Sequence, residues 1–377
     1  MIIVSTMVLP RCAVYSGCHA AVIINGCTSH CLTVLLKISG YWYLSAHLMR
    51  LVVVYMVPRV YSWTCEKWVR PVARSSLARL NEKQPYSMYE ALFGQLYSRC
   101  QQLAPKHRFR LKNRLYSLDA SLIDLSLKIF PWAHYALGKA AMKLHVGLDH
   151  AGYIPQFAAI TEGRVTDIEI GRTLQFSQGS IVVFDKGYTD YKWFKALNSK
   201  GVFFVTRLRK NAIWRVNERR CVNKDTGLSC DQTITLTGIK PQRIGMPKLR
   251  RIGYRDPETG RYYEFMTNDF ELSANTIVAL YKERWQVELF FKWIKQNLKI
   301  KAFIGNSKNA IMTQIWVALC TCLILAYIKF SAKLDWSLQK IILILQLNLF
   351  IRRDLLSLLR GDPHPDTGQA YNKMALI

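Results

Sequence analysis

"YKERWQVELFFKWIK", residues 281–295, places one carboxylate, Glu288, among Arg284, Lys292 and Lys295 and between aromatic side chains. Wound as a helix at roughly 100° per residue, Tyr281, Arg284, Glu288 and Lys295 fall within an arc of about 60° on one face. Two readings fit that face. In the first it is an exposed helix laced by i,i+4 pairs, because Arg284 and Lys292 each lie four residues from Glu288. In the second, the acid completes a divalent-metal site while two cations and a phenol grip a phosphate backbone. The acids available elsewhere in the chain decide between them.

The 377-residue chain carries 52 Lys and Arg against 25 Asp and Glu, a formal net charge of +27, with a pI near 9.8. Such an excess implies a polyanionic partner, nucleic acid ahead of an anionic membrane surface. Ten cysteines include no CxxC pair, and Cys100, Cys320 and Cys322 sit in apolar helix-like runs. That pattern predicts a reduced cytoplasmic protein without disulfides or structural zinc. The apolar stretch 315–328 is shorter than the roughly 20 residues of a membrane span and reads as a buried core helix.

Residues 1–65 differ from the remainder. They hold no Asp or Glu, four Lys or Arg and five cysteines, and no helical or strand period runs through them. Their composition resembles translation of a shifted reading frame, with a junction around 65–72, and predicts a poorly ordered segment. A helical region follows over 66–111. There "SSLARLN" reads as a helix capped by Ser75 or Ser76. "SMYEALFGQLYSRCQQL" reads as a second helix with a Ser87/Glu90 capping box and Tyr89, Leu92, Phe93, Leu96, Cys100 and Leu103 on one face.

The first part of an α/β core is expected over 112–206. "LYSLDASLIDLSL" reads as a strand, a turn and a further apolar element. "AMKLHVGLDHAGYIPQFAAIT" reads as two strands turning at Asp149. "GSIVVFD" and "GVFFVTRL" read as buried strands. A polar, strand-prone β insertion spans 207–265. The core resumes over 266–350, with a long helix from Ser273 through the opening motif, and a tail occupies 351–377.

Two acids stand at the ends of apolar runs: Asp119 after "RLYSL" and Asp185 after "IVVF". Burying a carboxylate is costly unless it is paired or metal-bound. Each has a plain alternative as the cap of a following turn. Hard oxygen ligands on rigid elements are what Mg²⁺ requires. Enzymes that cut nucleic acid often use two such ions about 4 Å apart. His145, His150, Asp167 and Glu169 are weaker candidates with supporting or surface roles, and "TRLRKN" and "PKLRR" are basic patches suited to a DNA backbone.

The motif at 281–295 resembles the Y-x-x-R-x-x-x-E-x-x-x-x-x-x-K signature of insertion-sequence DDE transposases, the IS-four family. "LYSLDAS" is similar to that family's first-aspartate strand and "VVFDKGY" to its second, usually written D-R-G-Y. The resemblance extends over about 70–350. It implies a ribonuclease-H-like mixed sheet flanked by helices, interrupted by a mostly β insertion before the catalytic Glu helix. It implies Asp119, Asp185 and Glu288 as catalytic metal ligands for two Mg²⁺ ions, with Mn²⁺ as a substitute. Tyr281, Arg284 and Lys295 would contact the phosphates of transposon ends. Trp285 would stack on an unpaired base or pack in the core.

The implied partner is double-stranded DNA, both transposon ends and target, handled by a homodimer in the bacterial cytoplasm at the nucleoid, with no membrane. Two departures stand out. Lys186 replaces the usual Arg, keeping the charge but not the bidentate fork, and residues 1–65 do not look like the family's helical DNA-binding region. An inactivated relic that only binds DNA, and a metal-dependent nuclease of the same fold, are the alternatives.

Overall fold

Strand β1 (Leu115–Leu125) is the axis on which the rest is assembled. In the computed structural model, which describes residues 74–298, 300, 303–348 and 355–362, it runs unbroken for 11 residues. The expected turn after Asp119 is absent. Antiparallel pairing with β3 (Lys139–Asp149) continues through that point, with Asp119 opposite Val146 and Leu125 opposite Ala140. A continuous ladder satisfies every backbone group that a turn would have had to satisfy locally.

Strand β4 (Ile154–Glu162) returns antiparallel to β3, and the short β2 (His134–Ala136) pairs with the start of β3. The turn at 150–153 passes through Gly152 at φ 76° and Tyr153 at φ 54°. A Cβ on Gly152 would stand 2.5 Å from the Phe330 ring, so glycine is demanded by both dihedral and space.

On the other side of β1, β5 (Ile181–Phe184) and β6 (Phe203–Arg207) run parallel to it. Parallel strands covered on both faces need apolar residues at every position rather than at alternate ones, which accounts for "IVVF". Val182, Phe184 and Phe204 enter one core cluster, and Ile181, Val183 and Val205 the other. The order β4–β3–β1–β5–β6, antiparallel on one side of β1 and parallel on the other, is a mixed sheet as expected.

The strand-prone stretch does not fold away from this sheet. β7 (Trp214–Arg220), β8 (Leu228–Leu236), β9 (Leu249–Arg255) and β10 (Tyr262–Thr267) extend it, with β10 antiparallel to β6.

Helices cover the sheet. α1 (Arg74–Lys83) and α2 (Ser87–Leu103) pack with α8 (Lys308–Ser331) over β3 and β4. Short α3 (Asp167–Gly171), α4 (Tyr191–Ser199) and α5 (Ile239–Ile244) lie between strands. α6 (Ala274–Glu283) and α7 (Trp285–Asn297) follow the sheet, and α9 (Leu338–Leu347) and α10 (Leu355–Arg360) are the last helices among the described residues.

α8 has 24 residues, longer than the apolar run suggested, and by length and hydropathy suits a membrane span. Its most apolar window is 94% buried inside the protein, so it is the central core helix, apolar on every side.

Three local expectations are corrected. Ser75 and Ser76 lie inside α1 and do not cap it. The Ser87/Glu90 capping box does not form. α2 is entered through Tyr86, whose amide donates to Asn309 Oδ1 at 3.3 Å, so α8 supplies the acceptor that a local cap would have. Leu103, at the end of the α2 stripe, is exposed. The reading of residues 1–65 as a shifted frame, and that of the tail beyond 362, fall outside the described residues.

Candidate active site

The helix through the opening motif is two helices. Ser273 caps α6 by accepting from the Thr276 amide at 3.2 Å. The chain then tightens at Arg284: its amide donates to the Tyr281 carbonyl, and its own carbonyl accepts from Val287, both at 3.1 Å and both spanning three residues. Neither Pro nor Gly marks the break. It coincides with Arg284, whose side chain bridges two acids, and such mid-helix tightening is a frequent companion of functional sites.

Asp119 and Glu288 meet at Arg284, and Asp185 stands beside them, on the other side of the Tyr281 ring, with Arg207. Arg284 Nη1 donates to Asp119 Oδ2 at 2.9 Å, and Arg284 Nη2 donates to Glu288 Oε1. Lys292 forms no ion pair with Glu288 among the described residues. Asp185, at the end of β5, accepts from the Lys186 amide at 2.7 Å and from Arg207 Nη2 at 2.7 Å and Nε at 3.2 Å. The Tyr281 hydroxyl donates to the same carboxylate at 3.5 Å. Asp185 thus caps a turn and also takes part in the cluster.

Burial pushes the Asp119 carboxyl above its usual range, with Arg284 and the Ala120 amide pulling against it and the Glu288 and Asp167 charges adding to it. Burial opposes ionisation of Asp185 too. There Arg207, the Lys186 amide and the Arg284 charge outweigh it and hold the carboxyl below the usual range. Burial raises the Tyr281 phenol to about 12 against the pull of both guanidinia, so it remains a donor near neutral pH.

Arg284 is 13% exposed, and its Nε is buried without a partner. The Tyr281 ring lies 5.9 Å from both Arg284 and Arg207 and packs on Phe265 at 4.7 Å.

Lys295 lies on the same side, donating at 2.7 Å to Ser121 Oγ and to the Leu122 carbonyl. It therefore ties α7 to β1 two residues from Asp119. Trp285 is 55% exposed; it is not a core residue, and its ring is open to solvent beside Arg284.

Arg207 was legible only as part of a basic patch. The signal available was its place at the end of the strand parallel to the one ending in Asp185. The other patch turns inward. Arg250 pairs with Asp231 and Arg251 with Glu264, so neither presents a free charge to a backbone. The remaining acids and histidines take structural places. Asp149 accepts from the Ala151 amide, Glu169 closes a capping box with Thr166, and His150 meets Ser117 Oγ at 2.7 Å. His145 meets Thr161 Oγ1 at 2.9 Å, while Asp167 pairs with Lys143 at 3.2 Å.

Three carboxylates are the donor set that a hard divalent cation prefers. As placed, no three His, Cys, Asp or Glu side chains among the described residues stand close enough to hold one. Arg284 lies between two of the three. The residue types fit a metal, and the present arrangement is charge-compensated by guanidinium instead.

A family profile described as the transposase DDE domain matches residues 111–325, a span that includes all three acids and the opening motif. The chain belongs to the DDE transposase family. It is 33% identical over 294 residues to a protein named as a transposase, y4zB, of Sinorhizobium fredii, covering 76% of this chain and 80% of that one. It is 25% identical over 260 residues to a protein named as the transposase for insertion sequence element IS5377 of Geobacillus stearothermophilus, covering 69% and 68%. The solved piggyBac transposase synaptic complex with hairpin DNA is more distant, 12% identical with a TM-score of 0.44 over 87% of this chain and 74% of that chain.

Proposed function

We propose that this transposase cuts DNA at the ends of its own element and joins the freed 3′ hydroxyls to target DNA, with Asp119, Asp185 and Glu288 as the metal ligands. The observation that carries this reading is the convergence of three carboxylates from β1, β5 and α7 on two partly buried guanidinia. Pairing at that density exceeds what three separate turn caps would require.

Bound Mg²⁺ or Mn²⁺ would activate the attacking oxygen and neutralise charge on the leaving one. The protein's own groups do the rest. Arg284 and Arg207 are paired with the acids in this structure, and their guanidinium forks would suit phosphate oxygens once metal takes over those carboxylates. The Tyr281 phenol, kept protonated by burial, adds a neutral donor. Lys295 holds α7 on β1 and keeps Glu288 in line with Asp119. The exposed Trp285 ring is a platform for a base lifted from the duplex end, a contact that tolerates any sequence. Double-stranded DNA is the substrate on this reading, handled by a homodimer at the nucleoid.

The test is a cleavage and strand-joining assay on DNA carrying the element ends, with Mg²⁺ and with Mn²⁺. Cleavage followed by joining supports the proposal. Cleavage without joining leaves a nuclease, and binding without cleavage leaves a relic, the reading favoured by the acid-free composition of residues 1–65.

A further inference from the structure

We propose that Arg284 closes the carboxylate site to divalent metal in the DNA-free protein, and that a DNA phosphate opens the site by taking the guanidinium away. The inference rests on the reading of the cluster as a DNA-cleaving site. It adds an order of events, in which DNA seats first and metal binds tightly only afterwards.

Three observations support it. The two terminal nitrogens of Arg284 are divided between Asp119 and Glu288, so the guanidinium occupies one oxygen of each carboxylate that a cation would claim. Its side chain is only 13% exposed, and with Arg207 it leaves the three acids a net charge of about −1. That is a poor attractant for an ion that must shed water to bind. Finally, Nε is buried without an acceptor. The present pairing therefore leaves one donor unused, whereas a phosphate oxygen pair engages guanidinium nitrogens side by side.

Metal and Arg284 thus compete for the same carboxylates, while phosphate and those carboxylates compete for Arg284. Two competitions sharing one side chain make DNA and metal bind cooperatively, and by linkage each must strengthen the other equally. The hinge-like turn at 284, between α6 and α7, is where such a change of partner is accommodated. The device keeps the protein from assembling a hydrolytic centre away from its substrate.

The experiment is a Mn²⁺ titration of the full-length protein, followed by the electron paramagnetic resonance of free Mn²⁺. It is run with and without a short duplex DNA of random sequence, and the Mn²⁺ taken up by the duplex alone is subtracted. The expected result is that Arg284→Ala binds Mn²⁺ about tenfold more tightly than wild type without DNA, within the roughly 5–150-fold range of coupled sites. DNA raises wild-type affinity by a similar factor and does little for the variant.

Circular dichroism melting reports whether the variant is folded. Arg284→Lys keeps the test open if it is not, because an ammonium cannot span both carboxylates and should also admit Mn²⁺ more readily than wild type. Unchanged or weaker Mn²⁺ affinity in the folded Arg284 variants overturns the gate, as does wild-type affinity indifferent to DNA. If Asp119→Asn abolishes Mn²⁺ binding in those same experiments, the metal reading survives the gate's failure. If Asp119→Asn binds Mn²⁺ as wild type does in every condition, the metal reading falls and the gate falls with it.

Discussion

Replacing Asp231 by Ala should cost about 3 kcal/mol, the lower end of the roughly 3–5 kcal/mol for breaking a buried ion pair. Asp231 on β8 and Arg250 on β9 are 6% and 4% exposed and joined by two hydrogen bonds of 2.7 and 2.8 Å. Arg220 adds a contact at 3.2 Å. Removing the carboxylate strands a charge inside the extended sheet. The low end is expected because Arg250 Nη1 keeps the carbonyls of Leu272 at 2.5 Å and Asp269 at 3.3 Å. Those carbonyls precede α6, so the pair also couples the inserted strands to the helix that carries Tyr281 and leads into Arg284. Urea unfolding followed by circular dichroism measures the cost as a lower midpoint at unchanged slope. The double variant Asp231→Leu with Arg250→Met should regain part of the loss, since apolar replacement of a buried pair is often neutral but here also removes the donor to the Leu272 and Asp269 carbonyls. A cost below about 1 kcal/mol for Asp231→Ala, or a double variant as unstable as the single, refutes the assignment.

Other consequences are equally direct. Trp285→Ala should leave stability within about 0.5 kcal/mol, as exposed positions do. It should weaken binding of DNA with an unpaired end by about 1–3 kcal/mol, measured by fluorescence anisotropy. Trp316→Ala should cost about 3–5 kcal/mol, because its side chain is 2% exposed at the centre of α8 and edge-on to Phe93; calorimetry reads the loss. Burial lowers His145 to about 4 and His150 to about 3. With folded values below unfolded ones, both contribute stability above pH ~6.5 that drains away as pH falls toward the folded values. Imidazole shifts followed by nuclear magnetic resonance should stay flat through pH ~6.5, and a transition there contradicts the burial argument.

How much of this was readable beforehand depends on the range of the interaction. Asp119, Asp185 and Glu288 were legible because each ends or punctuates a local pattern, two apolar strands and one helix face. The partner of Asp185 was not. Arg207 lies 22 residues away in sequence and is brought to it only by the parallel pairing of β5 with β6. The same holds for "PKLRR", which looked like a cationic surface. Asp231 and Glu264, 19 and 13 residues away, turn its arginines inward. The helix break at Arg284 carries no Pro or Gly to announce it, and the Ser87 cap gave way to Asn309, an acceptor on a helix more than 200 residues later. "LDAS" resembles a turn by composition and is a strand because β3 pairs with it throughout.

On the proposed assignment Asp119, Asp185 and Glu288 act as one catalytic unit. Its most direct test is single-turnover cleavage of end-containing DNA by Asp119→Asn, Asp185→Asn and Glu288→Gln, with binding measured on the same samples. Each amide keeps size and hydrogen-bonding shape while removing the charge a metal needs. All three are expected to lose cleavage, by about 10³-fold or more (over about 4 kcal/mol of barrier), while DNA binding stays within a few-fold of wild type. Cleavage close to wild type in any one of the three, in a protein that still binds DNA, contradicts it.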